Sequence, residues 1–181
     1  MAKTLKVAVL GSGSVKEGAP SYDMAVELGR LLVEKGCMVV TGGYFGIMEA
    51  AARGARNAKG MALGVTLPMK PEGNTYCNAK IQVGGKTLEE QFLLRLGKLL
   101  ACDVLVFFDG ESGTIVEVCT ALHIARIAGK LGIDVSTSPK KLMIFIGQEL
   151  GAKLKTLHEL GFDTDVTLVS SAEEAMALID A

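Results

Sequence analysis

The sequence predicts an α/β protein with one doubly wound parallel sheet and helices on both of its faces, and three observations carry that expectation. Short runs rich in Val, Ile and Leu alternate with longer segments of helical period, as in successive βα units. Those short runs are apolar at nearly every position, which is what strands covered on both faces require. Glycine-rich turns stand where three of the runs give way to a helix, the edge at which open parallel sheets bind ligands.

Taken along the chain, buried strands are expected at Leu5 to Leu10, Cys37 to Thr41, Ala62 to Thr66, Val104 to Phe108 and Leu142 to Ile146, and an edge strand at Thr167 to Val169. Helical spacing covers Tyr22 to Lys35, Ile47 to Ala58, Leu88 to Leu100, Thr114 to Ala128, Gly151 to Glu159 and Ala172 to Ile179. Thr87 with Glu90, and Ser171 with Glu174, have the capping-box spacing that marks a helix start. Pro68 to Asn78, with its prolines, Gly73 and asparagines, reads as a loop, either a lid or a surface excursion. The order of elements is that of a Rossmann-like fold. At 181 residues and 49% hydrophobic content the chain suits one such domain over 1–181.

Composition narrows the partners. Lys+Arg 19 against Asp+Glu 20 gives a net charge of -1, so no global field draws the protein to nucleic acid or a membrane surface. Any anion site must be local. The four cysteines, at 37, 77, 102 and 119, lack a CxxC pair or a histidine at metal spacing, and read as small core hydrophobes of a reducing compartment. No metal site is expected. The N-terminus enters a strand pattern without a leader-like segment, and no apolar run approaches the roughly 20 residues of a membrane span, so the cytoplasm is the expected location. With 22 glycines, no tryptophan and few aromatics, the composition suits tight strand-to-helix turns better than platforms for stacked bases, and a small-molecule ligand is the expected partner.

The three turns differ in character. Gly11-Ser12-Gly13-Ser14 follows the first strand and offers small residues and hydroxyls to a phosphate, but Lys16 stands where a dinucleotide fingerprint needs its third glycine. It is also readable as a plain tight turn. Gly42, Gly43 and Gly46 precede a helix whose N-terminal amides can face an anion, while Gly54 and the alanines of that helix equally suit close packing. Gly110, Ser112, Gly113 and Thr114 repeat the geometry after the strand ending at Phe108, flanked by Asp109 and Glu111. Glu111 beside a phosphate would repel it, so its carboxylate is expected to face away from a bound one.

Glu117 is the lone charge in Thr-Ile-Val-Glu-Val-Cys-Thr-Ala-Leu, and Thr114, Glu117 and Thr120 make a polar stripe at helical spacing. That pattern fits a cleft carboxylate and a structural ion pair alike. Gln91, Arg95 and Lys98 share a helical face that spacing alone reads as solvated.

Thr41-Gly-Gly-Tyr-Phe-Gly-Ile-Met-Glu-Ala-Ala, then Arg95, then Gly110-Glu-Ser-Gly-Thr-Ile-Val-Glu117 resemble the LONELY GUY family of cytokinin-activating phosphoribohydrolases, often mislabelled lysine decarboxylases. The wider superfamily also contains molybdenum-cofactor carrier-like proteins. The resemblance implies ligand-binding turns at Gly42, Gly43 and Gly46 and at Gly110, Gly113 and Thr114, to which the reading of the turns adds Gly11, Ser12 and Ser112 as phosphate contacts, with Arg95 and Glu117 catalytic. It also implies a nucleoside 5′-monophosphate as ligand, a homodimer, and no cofactor. Asp109 and Glu111 depart from the family motif, where a proline and a glycine stand. A carrier or sensor without turnover is the alternative. A nicotinamide oxidoreductase is weakened by the incomplete first fingerprint, and a decarboxylase by the lack of a lysine in a pyridoxal motif.

Overall fold

The computed structural model describes residues 4–131, 142–162 and 166–179. Its elements run β1 (Lys6–Leu10), α1 (Pro20–Glu34), β2 (Met38–Thr41), α2 (Ile47–Asn57), β3 (Ala62–Thr66), β4 (Ala79–Gln82), α3 (Leu88–Leu100), β5 (Val104–Phe108), α4 (Ser112–Lys130), β6 (Leu142–Ile146), α5 (Gln148–Glu159), β7 (Thr167–Val169) and α6 (Ala172–Ile179). The strands pair in parallel in the order β4-β3-β2-β1-β5-β6-β7, giving the doubly wound sheet that the alternation of runs predicts.

The side-chain period of two divides each strand between two cores. Val7 and Val9 of β1, with Val104, Val106 and Phe108 of β5, pack against α1, α2 and α6. Ala8 and Leu10, with Leu105 and Phe107, pack against α3, α4 and α5 on the opposite face. Winding runs outward from β1 to β4, then restarts at β5 and runs the other way. Right-handed crossovers therefore change face at the reversal, and the β1/β5 boundary is the topological switch point where a crevice opens.

The capping box at α3 forms in full, and at α6 the return bond goes to the residue before the cap. Thr87 Oγ1 accepts the Glu90 amide while the Glu90 carboxylate takes the Thr87 and Lys86 amides. Ser171 Oγ accepts the Glu174 amide, and the Glu174 carboxylate takes the Ser170 amide. Gly54 lets α2 lie close on α1, where a Cβ would strike the Val26 carbonyl.

One strand departs from the sequence expectation, and the expected loop after β3 takes the second of its two readings. Ala79–Gln82 forms a seventh strand, β4, exposed at every position and, among the described residues, paired to β3; four residues long, with Ala79 and Ile81 alternating with Lys80 and Gln82, it is too short and too polar to stand out. The 68–78 loop is a pinned excursion. Asn74, 1% exposed, donates its side-chain amide to the Tyr44 carbonyl and accepts the Tyr76 and Cys77 amides, while its own N–H reaches the Gly43 carbonyl. The Tyr44 hydroxyl donates to the Lys70 carbonyl and accepts from the Leu67 amide, closing the tie from the other side.

Candidate functional site

The three glycine turns meet at one peptide. The Ser12 amide donates to the Asp109 carbonyl at the end of β5, and the Ser12 carbonyl accepts the Ile47 amide at the start of α2. A Cβ at Gly46 would collide with the Ser12 carbonyl, and one at Gly110 with Thr114 and the Ser12 amide. Gly46 also has φ 66°, which L side chains rarely adopt. These glycines are thus required by the convergence itself.

Around that junction lies a cavity of about 250 Å³ at the switch point, just under the roughly 300 Å³ at which small-molecule sites begin. Gly11, Ser12, Ser112, Gly113, Thr114, Arg95 and Glu117, all singled out in the sequence, line it. Gly42, Gly43, Gly46 and Gly110 stand behind the lining. The Gly43 amide is engaged by Thr41 Oγ1 at 3.1 Å, and the Gly110 carbonyl by Lys153 Nζ at 2.8 Å. Thr120 leaves the stripe, since its hydroxyl donates back to the Val116 carbonyl within α4.

Arg95 is not on a solvated face. Its side chain is 13% exposed, crossing from α3 beneath the sheet edge, with Nε donating to the Val65 carbonyl at 2.9 Å and Nη2 to the Gly42 carbonyl at 3.1 Å. The guanidinium lies 5.4 Å from the centre of the Tyr44 ring. Gly42 has to be glycine here, because a Cβ would occupy the guanidinium's position. Two carbonyls and one ring fix the plane of the cation and turn Nη1 toward Glu117.

Glu117, 14% exposed, approaches that nitrogen only to 4.0 Å. Burial drives its carboxyl up to about 7, an effect that the Arg95 charge opposes but does not cancel. Burial likewise lowers Arg95 from its ordinary value, against the pull of Glu117 and Tyr44. Desolvation exceeds mutual attraction on both sides, as expected of a pair this far apart in a partly dry cleft. A carboxyl near 7 that faces a cavity is suited to exchange protons at neutral pH.

The two acidic residues flanking the third turn part company. Asp109 turns away from the cavity, and its Oδ1 accepts the Leu150 amide at 2.5 Å, capping α5, whose own N-cap residue is Gly147. Glu111 does the reverse of what its charge suggests: it lines the cavity and accepts the Ser14 hydroxyl at 2.7 Å. Sequence reasoning also missed Tyr44 and Met48 as lining residues. Their positions inside the second glycine motif were the available signal.

Among the described residues no group of His, Cys, Asp and Glu could hold a metal ion, and no helix is long and apolar enough to cross a membrane.

Fold and cleft together define a Rossmann-like protein whose cavity opens at the switch point of its sheet. The chain belongs to the SLOG cluster4 family, whose model matches residues 4–171. Membership establishes the wider superfamily indicated by the glycine motifs, not its cytokinin-activating branch. The chain is similar to TM1055, a solved structure with TM-score 0.74 and 25% identity, over 98% of this chain and 99% of that one. It shares its fold with the molybdenum cofactor binding protein of the phototrophic bacterium Rippkaea orientalis, at TM-score 0.73 and 22% identity over 99% and 98% of the two chains. The molybdenum cofactor carrier protein of Chlamydomonas reinhardtii is similar at TM-score 0.69 and 26% identity, over 98% and 97%.

Proposed function

We propose that the protein hydrolyses the N-glycosidic bond of a nucleoside 5′-monophosphate, releasing free base and ribose 5-phosphate. The observation that supports this most is Glu117, a poorly solvated carboxyl near 7 facing a cavity beside a fixed guanidinium. As the C1′–base bond breaks, positive charge grows on the sugar, and a held carboxylate stabilises that charge more than it stabilises the ground state. Glu117 also takes a proton from the attacking water as its oxygen bonds to C1′. Arg95 Nη1 orients the ligand and offsets negative charge on the leaving base, which takes up a proton. Thr114 and the first turn of α4, with Gly11 and Ser12, hold the phosphate end and fix the geometry. The chemistry calls for no cofactor.

The functional unit in this reading is a cytoplasmic homodimer. Leu93 and Leu94 on α3 and Val116 and Ile124 on α4 are exposed, on the helices that carry Arg95 and Glu117, and a second copy is the partner the family resemblance implies. Light scattering tests it: a dimer is expected, and a monomer at micromolar concentration contradicts it.

A second reading, a carrier that binds without turnover, is favoured by Glu111 in the cavity and by the named ligand of the Chlamydomonas neighbour. A chromatographic screen of nucleoside 5′-monophosphates separates the two. Release of free base by the wild type that is lost in Glu117→Gln supports hydrolysis, whereas saturable binding with no release supports the carrier.

A further inference from the structure

We propose that Glu111 is a specificity-determining residue: its carboxylate engages the serine hydroxyls of the first turn and weakens the binding of any ligand that brings a phosphoryl group there, so that a nucleoside 5′-monophosphate binds only by displacing it. This rests on the reading of the cavity as a nucleoside-type site, and refines it.

The hydrogen bonds at the mouth run in one direction. Ser14 Oγ has a single proton and gives it to Glu111 Oε1 at 2.7 Å. The 2.8 Å contact between the two serine hydroxyls is therefore donated by Ser12 Oγ, which in turn accepts the Ser14 amide at 3.1 Å. Both hydroxyls that the first turn could offer a phosphate are thus already directed, one through the other, onto a carboxylate. Oxygen acceptors of a carboxylate and of a phosphate make the same demand on these donors.

Charge adds to the occupancy. Among the described residues no cation forms an ion pair with Glu111. Asp109, the neighbouring acid, is engaged at the start of α5, and Lys153, whose Nζ sits on the Gly110 carbonyl, pairs with Glu149, so of the third turn's two acids Glu111 is the one that faces the cavity. A phosphoryl group must displace this carboxylate from the serines and then remain near it, whereas a bare sugar hydroxyl can donate to it.

Calorimetric titration of adenosine 5′-monophosphate and of adenosine into wild type, Glu111→Gly and Glu111→Gln tests the assignment, with inorganic phosphate followed in parallel by phosphorus NMR. Removing an exposed, partly screened like charge is expected to tighten the monophosphate at least about tenfold in Glu111→Gly while adenosine changes less than about twofold. Glu111→Gln is expected to give an intermediate gain, and inorganic phosphate to broaden more with either variant than with wild type. Equal phosphate binding by all three proteins, its absence from all three included, overturns the proposal, as does an equal gain for adenosine. Tighter phosphate binding by Glu111→Gly in a protein that releases no base would remove the hydrolase reading and leave this one standing.

Discussion

Arg95 and Glu117 face each other at 4.0 Å across a cavity, each largely cut off from water and neither saturated by the other. Arg95 is held from behind by the Val65 and Gly42 carbonyls, so its position does not depend on Glu117. A cation fixed by the scaffold and a carboxyl near 7 leave between them a gap that a ligand fills.

If Glu117 carries the chemistry, Glu117→Gln keeps the shape of the side chain and loses the charge and the base. Base release should fall by about 10²- to 10⁴-fold. The thermal midpoint should hold or rise. Steady-state assays beside a melting curve check both, and an active Glu117→Gln contradicts the assignment.

The elevated carboxyl gives two pH signatures. Hydrolysis that requires the carboxylate should rise with pH and level off above about 7. Between the ordinary 4.5 and about 7 the folded protein binds more protons at Glu117 than the unfolded chain does, so this group's contribution to stability falls as pH rises through that window. Glu117→Gln should therefore gain on the wild type by about 1–3 kcal/mol between pH 4 and pH 8, measured by urea unfolding. A gain in the opposite direction would show that Glu117 is stabilised as a carboxylate.

Arg95→Met removes the donors from two inner carbonyls. Each unsatisfied acceptor costs about 1–3 kcal/mol, so a loss of about 2–6 kcal/mol is expected along with loss of turnover. Denaturant titration measures it, and a neutral substitution would mean that these hydrogen bonds do not hold the cation.

Gly42→Ala separates position from stability. The new Cβ lands on the guanidinium and must push it aside, while the turn's backbone stays in an ordinary conformation. Turnover should fall nearly as far as in Arg95→Met, with a smaller loss of stability. Equal activity to wild type would show that the arginine's exact seat is unimportant.

Asp109→Ala tests the division of labour between the two acids of the third turn. Losing the cap on α5 should cost about 1 kcal/mol and leave ligand affinity unchanged. A large change in affinity would place Asp109 in the binding machinery instead.

The sheet was legible in the sequence because strands buried on both faces announce themselves as apolar runs, and six of the seven begin or end at the expected residues. β4 was not, since a four-residue exposed edge strand buries no apolar face and so needs no apolar run. Within the site, the glycine turns and Glu117 stood out as anomalies of composition. Arg95 did not, because its burial depends on the Val65 and Gly42 carbonyls, which lie about 30 and 50 residues away along the chain. The opposite fates of Asp109 and Glu111 were likewise hidden, being set by Leu150 and Ser14 on other elements.

The most direct measurement is a crystal structure of Glu117→Gln soaked with adenosine 5′-monophosphate. The account predicts the ribose C1′ beside residue 117, the base toward Arg95 and the phosphate over the first turn of α4, with the Glu111 carboxylate displaced from Ser14. A nucleotide bound with its sugar away from residue 117, or a ligand lodged elsewhere while this cleft keeps its Glu111–Ser14 hydrogen bond, would contradict it.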